Sequence, residues 1–187
     1  MTKYKKIKFK SLIQITQKNF SQIKKKGSTY QILKQKISVK IDSQDLKNRI
    51  NFVLSTMSDF STQLTIRICD IEEMQNINSY YRNKNYPTDV LSFPNKEINF
   101  NNSEFSYLGD ILICFPVCYK QAKNARSTIS QELEKMIIHG IVHLKGFDHE
   151  RSNSCWTIMT NLEKNLRKEL HKEMGQPKWC NIVPLCK

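Results

Sequence analysis

With 187 residues and 39% hydrophobic side chains, the chain is long enough for one domain to build its own core, which excludes disulfide-dependent mini-protein folds. The longest uninterrupted apolar run, Ile111 to Phe115, falls far short of the ~20 residues of a membrane-spanning helix, so no bilayer span and no membrane partner are expected. The formal charge of +13 is uneven: residues 1–36 hold 11 Lys and no Asp, Glu or Arg, whereas the remainder sets 19 Lys and Arg against 17 acidic residues. The first residues form a lysine-rich stretch with no apolar signal segment in it, so a cytoplasmic protein with six reduced cysteines is expected. A basic arm on a nearly neutral body suits a polyanion such as RNA, because each phosphate contact releases counterions. It equally suits the composition of an AT-rich genome, with 24 Lys, 21 Ile and 16 Asn against 2 Ala.

Residues 1–36 lack a sustained amphipathic period and read as an N-terminal extension, either partly disordered or a marginal helix. From Ile37 the texture changes. Ile37, Val39 and Ile41 alternate as in a half-buried strand, and Asp42 or Ser43 then caps a helix carrying Leu46, Ile50, Val53 and Leu54. Leu64, Ile66 and Ile68 alternate again up to Asp70, and Ile71 to Tyr81 reads as a short helix with Met74, Ile77 and Asn78 along one side. Thr88 to Phe93 is a β-prone run closed by Pro94, followed by a polar, Asn-rich loop from Lys96 to Ser106. Ile111 to Phe115 has the unbroken apolar character of a strand buried on both faces. Two helices close the order, with 179–187 as a C-terminal tail. The fold class expected is α+β: a small mixed β-sheet covered by helices, with no internal repeat and no second core.

Chemistry concentrates between Ser127 and Glu150. Thr128 and Gln131 have the spacing of a capping box, and Leu133, Met136, Ile137, Gly140 and Leu144 then trace a helical apolar stripe. At ~100° per residue His139 and His143 lie one turn apart on the edge of that stripe. Gly146 suits a left-handed helix end, after which the chain can reverse and bring His149 toward the other two. Three imidazoles at such a turn suit one Zn²⁺ and leave a fourth tetrahedral position open, which is the arrangement of a catalytic site. The fourth histidine, His171, lies on a polar helix and reads as a surface residue.

The spacing is similar to the metzincin peptidase motif H-E-x-x-H-x-x-G-x-x-H, a zincin-like metal-binding helix followed by a Gly turn, with one difference. Where those enzymes carry the Glu that takes a proton from the metal-bound water, this chain has Gly140. A peptidase would need a substitute base. Asp148 is a candidate for that role, and equally a candidate for holding a ligand ring in place through a hydrogen bond.

The segment HGIVHLKGFDHE at 139–150 resembles the signature of the YbeY family of metal-dependent endoribonucleases. Three further blocks agree in order: N-x-x-Y-R and TDVLSFP between Asn78 and Pro94, LGDILIC from Leu108 to Cys114, and Met159 with Glu163 on the closing helix. The resemblance covers about residues 37–178, which it implies are a YbeY-like endoribonuclease domain. It implies a single-strand-specific RNase of ribosomal RNA maturation, acting at the 3′ end of small-subunit rRNA, and of ribosome quality control. Its partners would be single-stranded and ribosomal RNA, with the ribosome or small-subunit assembly factors as candidates. By position, the Zn²⁺ ligands are His139, His143 and His149, and the family's arginine is Arg82, whose guanidinium can fork onto a scissile phosphate. Either a metal-activated water or the RNA 2′-OH could attack. Tyr81 and Tyr86 are candidate RNA-binding residues, able to stack unpaired bases, whereas Asp89 reads as structural. Two other readings stand beside the nuclease: a metzincin-like metallopeptidase lacking its Glu, and a ribosome-associated factor with a structural metal.

Overall fold

The computed structural model of the chain describes residues 11–15, 22–26, 29–34, 37–57, 62–95, 106–148 and 152–184. In chain order the elements are β1 (Ser11–Ile15), β2 (Gln22–Lys26), β3 (Thr29–Lys34), β4 (Ile37–Asp42), α1 (Ser43–Thr56), β5 (Thr62–Cys69) and α2 (Ile71–Arg82). There follow β6 (Val90–Pro94), β7 (Ser106–Cys114), α3 (Phe115–Asn124), α4 (Ile129–Leu144), α5 (Asn153–Met174) and β8 (Cys180–Pro184). Among the described residues no helix is long and apolar enough to cross a membrane.

The first sheet has the order β1-β5-β7-β6. Its first three strands run parallel and β6 is an antiparallel edge. The alternation of Leu64, Ile66 and Ile68 along β5 directs these side chains into the main core, which they share with Ile111 and Ile113 of β7 and the apolar faces of α1, α4 and α5. The other face is smaller: Cys69, Leu91, Leu112 and Cys114 pack there with Met74 of α2. Strand β7 is thus buried on both sides over Ile111 to Cys114, as its unbroken apolar run implies. The caps also follow the sequence. Asp42 accepts hydrogen bonds from the backbone N–H of Gln44 and Asp45, Asp70 accepts that of Glu73, and Thr128 with Gln131 forms a complete capping box.

The mixed α+β character agrees with the expectation, but a second four-stranded sheet, β2-β3-β4-β8, stands beside the first. It is antiparallel throughout. Three of its strands were not read from the sequence: β2 and β3 lie within 1–36 and β8 within 179–187, and β1 of the first sheet also lies in the N-terminal stretch. Strands β1, β2 and β8 are sheet edges and β2 reads QIKKK; such strands gain their stability from ladder hydrogen bonds to a partner, which composition does not display. Trp179, just before β8, is 1% exposed and its carbonyl accepts the Asp42 N–H at 2.7 Å, so the chain end is tied to the start of α1. Helix α3 is a further addition; Pro116 stands in its first turn and Cys118 and Ala122 form its buried side. Phe115 opens this helix instead of ending the strand.

Candidate active site

Helix α4 crosses the main-core face of the first sheet and reaches the edge strand β6. Gly140 makes that approach possible: a Cβ there would sit 2.9 Å from both Cδ1 and Cγ2 of Ile111 and 3.1 Å from Ser92 Oγ. Ser92 Oγ instead donates to the Gly140 carbonyl at 3.4 Å. Any side chain at the position where a metzincin peptidase carries its Glu would therefore have to displace Ile111.

The two histidines of α4 flank this contact in the sequence. His139 and His143 stand one turn apart, their ring centroids 4.6 Å from each other and the planes nearly perpendicular at 83°. His143 lies in the last turn of α4, where the negative end of the helix dipole favours a cation. The helix ends as expected: Gly146 takes φ +89° and its N–H donates to the His143 carbonyl at 2.9 Å. His149 lies outside the described residues, and among these no group of three His, Cys, Asp or Glu converges. Asp148, at the last described position before it, is half-buried.

Behind His139 stands a residue that spacing alone did not single out for a role. Glu163 of α5 places Oε1 2.8 Å from His139 Nδ1, with its side chain only 14% exposed. Its position in α5 carried a readable signal. Met159, Leu166 and Leu170 form the buried stripe of that helix, and 163 falls on the same stripe by helical spacing. A carboxylate on a core stripe demands a partner, because burying it unpaired is costly.

Arg82 closes α2 on the opposite side of β6. The helix stops there because Asn83 adopts the left-handed conformation, φ 55°. Next to Arg82, the Tyr81 ring meets Phe93 of β6 edge-on at a centroid distance of 5.0 Å, and Tyr80 meets Tyr81 at 4.8 Å. Tyr80, Tyr81 and Tyr86 are 80%, 63% and 55% exposed, an unusual share of aromatic surface in water. The loop that carries Tyr86 is held by buried Asn78, whose amide donates to the Tyr86 carbonyl at 2.7 Å. Edge strand β6 thus has Ser92 against the histidine helix and Phe93 against the helix that ends in Arg82.

Asp89 at the foot of β6 accepts hydrogen bonds from Val90 N–H at 2.8 Å, Gln121 Nε2 at 2.9 Å and Thr88 Oγ1 at 3.1 Å. Burial by itself would raise its pKa, but these donors outweigh burial and hold it below the usual carboxylate value. Its carboxylate thus accepts three hydrogen bonds from within the fold. Cys69, Cys114, Cys118, Cys155 and Cys180 are free. Burial raises the Cys118 thiol above its ordinary value and pushes Cys180 up to about 12, so neither supplies a thiolate nucleophile.

The surface reading of His171 gives way to a half-buried one. Its Nε2 pairs with Glu134 Oε1, and its Nδ1 lies 3.3 Å from Gln176 Nε2. Glu134 in turn holds Arg49 at 3.1 Å, and that guanidinium also donates to the carbonyls of Met174, Gly175 and Gln176 at the end of α5.

Comparison with known proteins adds to this geometry. A family model described as endoribonuclease YbeY matches residues 30–171. The endoribonuclease YbeY of Syntrophus aciditrophicus is 34% identical over 141 residues, covering 75% of this chain and 88% of that protein. Its counterpart in the Aster yellows witches'-broom phytoplasma is 41% identical over 97 residues, 52% of this chain and 66% of the other. The solution structure of TM1509 from Thermotoga maritima shares the fold, with a TM-score of 0.53 at 22% identity over 88% of this chain and 91% of that one.

Proposed function

The chain belongs to the endoribonuclease YbeY family, and from that premise we propose that it is a Zn²⁺-dependent hydrolase of phosphodiester bonds in single-stranded RNA. Its role is ribosomal RNA maturation at the 3′ end of the small-subunit rRNA, together with ribosome quality control, in the cytoplasm. The ribosome or small-subunit assembly factors are its protein-side partners. The observation that carries this reading is the His139–His143 pair at the end of α4, in a chain whose family is a nuclease family.

The donor set suits the ion. Two imidazoles on one helix face, one of them backed by a carboxylate, are what zinc sites are built from. His139, His143 and His149 would hold the Zn²⁺. When bound, it supplies a Lewis acid for a phosphoryl oxygen.

The chain's own residues do the rest. Arg82 forks two donors onto the scissile phosphate, holds it in register and neutralises charge as it develops. Tyr81 and Tyr86 stack unpaired bases, which a duplex cannot offer, and this is the source of the single-strand preference. Asp148, five residues beyond His143, acts as a base or steadies a ligand ring. The peptidase reading is the weaker one, because Gly140 supplies no base at that position and a side chain there would have to displace Ile111.

The test is a cleavage assay on single-stranded and duplex RNA, with and without a chelator, combined with metal analysis of the purified protein. Cleavage of the single strand that disappears with chelator and returns with Zn²⁺ is the expected outcome; cleavage indifferent to the chelator would sink it. Arg82→Ala should retain the metal and lose cleavage, and a variant as active as wild type would remove Arg82 from the site.

A further inference from the structure

We propose that Glu163 is a positioning residue for the metal site: its carboxylate accepts the Nδ1–H of His139 and so fixes which ring nitrogen faces the cation. The inference rests on the assignment of His139 and His143 as ligands made above, and adds to it a residue from a different helix.

The physical argument has three steps. First, an ionised carboxylate is an acceptor only, so the 2.8 Å contact between Glu163 Oε1 and His139 Nδ1 puts the ring's proton on Nδ1. The lone pair then belongs to Nε2, the nitrogen farther from the backbone. Second, Glu163 sits on the buried stripe of α5 between Met159 and Leu166, which are 1% and 3% exposed. Packing on both sides limits its rotamers, so the orientation it imposes on the ring is a rigid one. Third, a negative charge behind an imidazole raises the basicity of the opposite nitrogen, which strengthens its bond to a divalent cation. On another flank the His143 ring stands 4.6 Å from that of His139, nearly perpendicular to it. One carboxylate on α5 therefore sets both the tautomer and the direction of a ligand on α4.

The experiment compares Zn²⁺ affinity, by competition with a chromophoric chelator, for wild type, Glu163→Gln, Glu163→Ala and His143→Ala. Ring ¹⁵N chemical shifts of His139 in the metal-free proteins provide a readout independent of the metal. Outer-shell partners of this kind are worth about 10–100-fold in metal affinity. We expect a loss of about tenfold for Glu163→Gln, whose amide oxygen still accepts Nδ1–H without the charge, and a loss nearer the upper end of that range for Glu163→Ala. The Nδ1–H tautomer should dominate in wild type and Glu163→Gln and be mixed in Glu163→Ala. Wild-type Zn²⁺ affinity in both Glu163 variants, alongside a large loss in His143→Ala, would overturn the role of Glu163 and leave the histidine site standing. A wild type that binds no Zn²⁺, or a His143→Ala that binds it unchanged, would bring down the histidine site and this proposal together. Should Glu163→Ala fail to fold, the near-isosteric Glu163→Gln decides by the same criterion.

Discussion

Helices α4 and α5 are joined twice by a histidine and a glutamate, once at each end of α4, and the two joints differ in what surrounds them. Near the start of α4, Glu134 pairs with His171 and with Arg49, both Arg49 and Glu134 being 4% exposed. There the guanidinium also collects three carbonyls from the end of α5, and both ring nitrogens of His171 are engaged by side chains of the fold. Near the end of α4 the order is reversed: the histidine is on α4, the glutamate on α5, and Glu163 forms no ion pair with Lys or Arg among the described residues. The same two residue types thus make a closed structural clamp where a buried cation completes the charge balance. At the other joint the pair is half-buried, the His139 side chain being 25% and that of Glu163 14% exposed.

That contrast can be broken from either end. The largest effect is expected for His143→Ala, which should abolish Zn²⁺ binding and RNA cleavage, exceeding the ~100-fold upper range of outer-shell changes. Its metal-free urea midpoint should hardly move. Activity close to wild type would mean that the end of α4 is not the site.

Arg49→Met should do the opposite. Removing one partner of a buried ion pair costs about 3–5 kcal/mol, read as a fall in the stability of the metal-free protein to urea, while Zn²⁺ affinity measured under native conditions stays at the wild-type value. A variant with unchanged stability would show that the Glu134–His171 joint holds without its cation.

Gly140→Ala has the smallest expected effect. The new methyl meets Ile111 at 2.9 Å, an overpacking cost of about 1–3 kcal/mol partly offset by the ~1 kcal/mol gain in helix propensity. Because the strain lies beside His139, Zn²⁺ affinity should fall with stability. A fall in stability alone would show that the ring's position is set entirely by Glu163.

Much of the site was legible because helix geometry is local. The Thr128 and Gln131 cap, the apolar stripe and the His139–His143 spacing all depend on residues within a turn or two of one another. The alternation of Leu64, Ile66 and Ile68 likewise displays β5 before any partner is known. What escaped was structure that depends on a partner. Strands β2, β3 and β8 have too little apolar pattern to announce themselves, and His171 looks like a surface residue until α4 is packed against it.

The amino-acid order alone determined that two imidazoles share one face of a helix ending in a glycine turn, and that no carboxylate follows the first of them, since 3.6 residues per turn needs no tertiary information. Only the packed chain decided that Gly140 must be bare, because the constraint comes from Ile111 and Ser92 on other elements. The same holds for the choice of His139 as the histidine backed by Glu163, 24 residues away, and of Glu134 as the anchor for Arg49, 85 residues away. Buried charges take whatever partner the packing of helices brings within reach, and that is a property of the whole core rather than of any stretch of sequence.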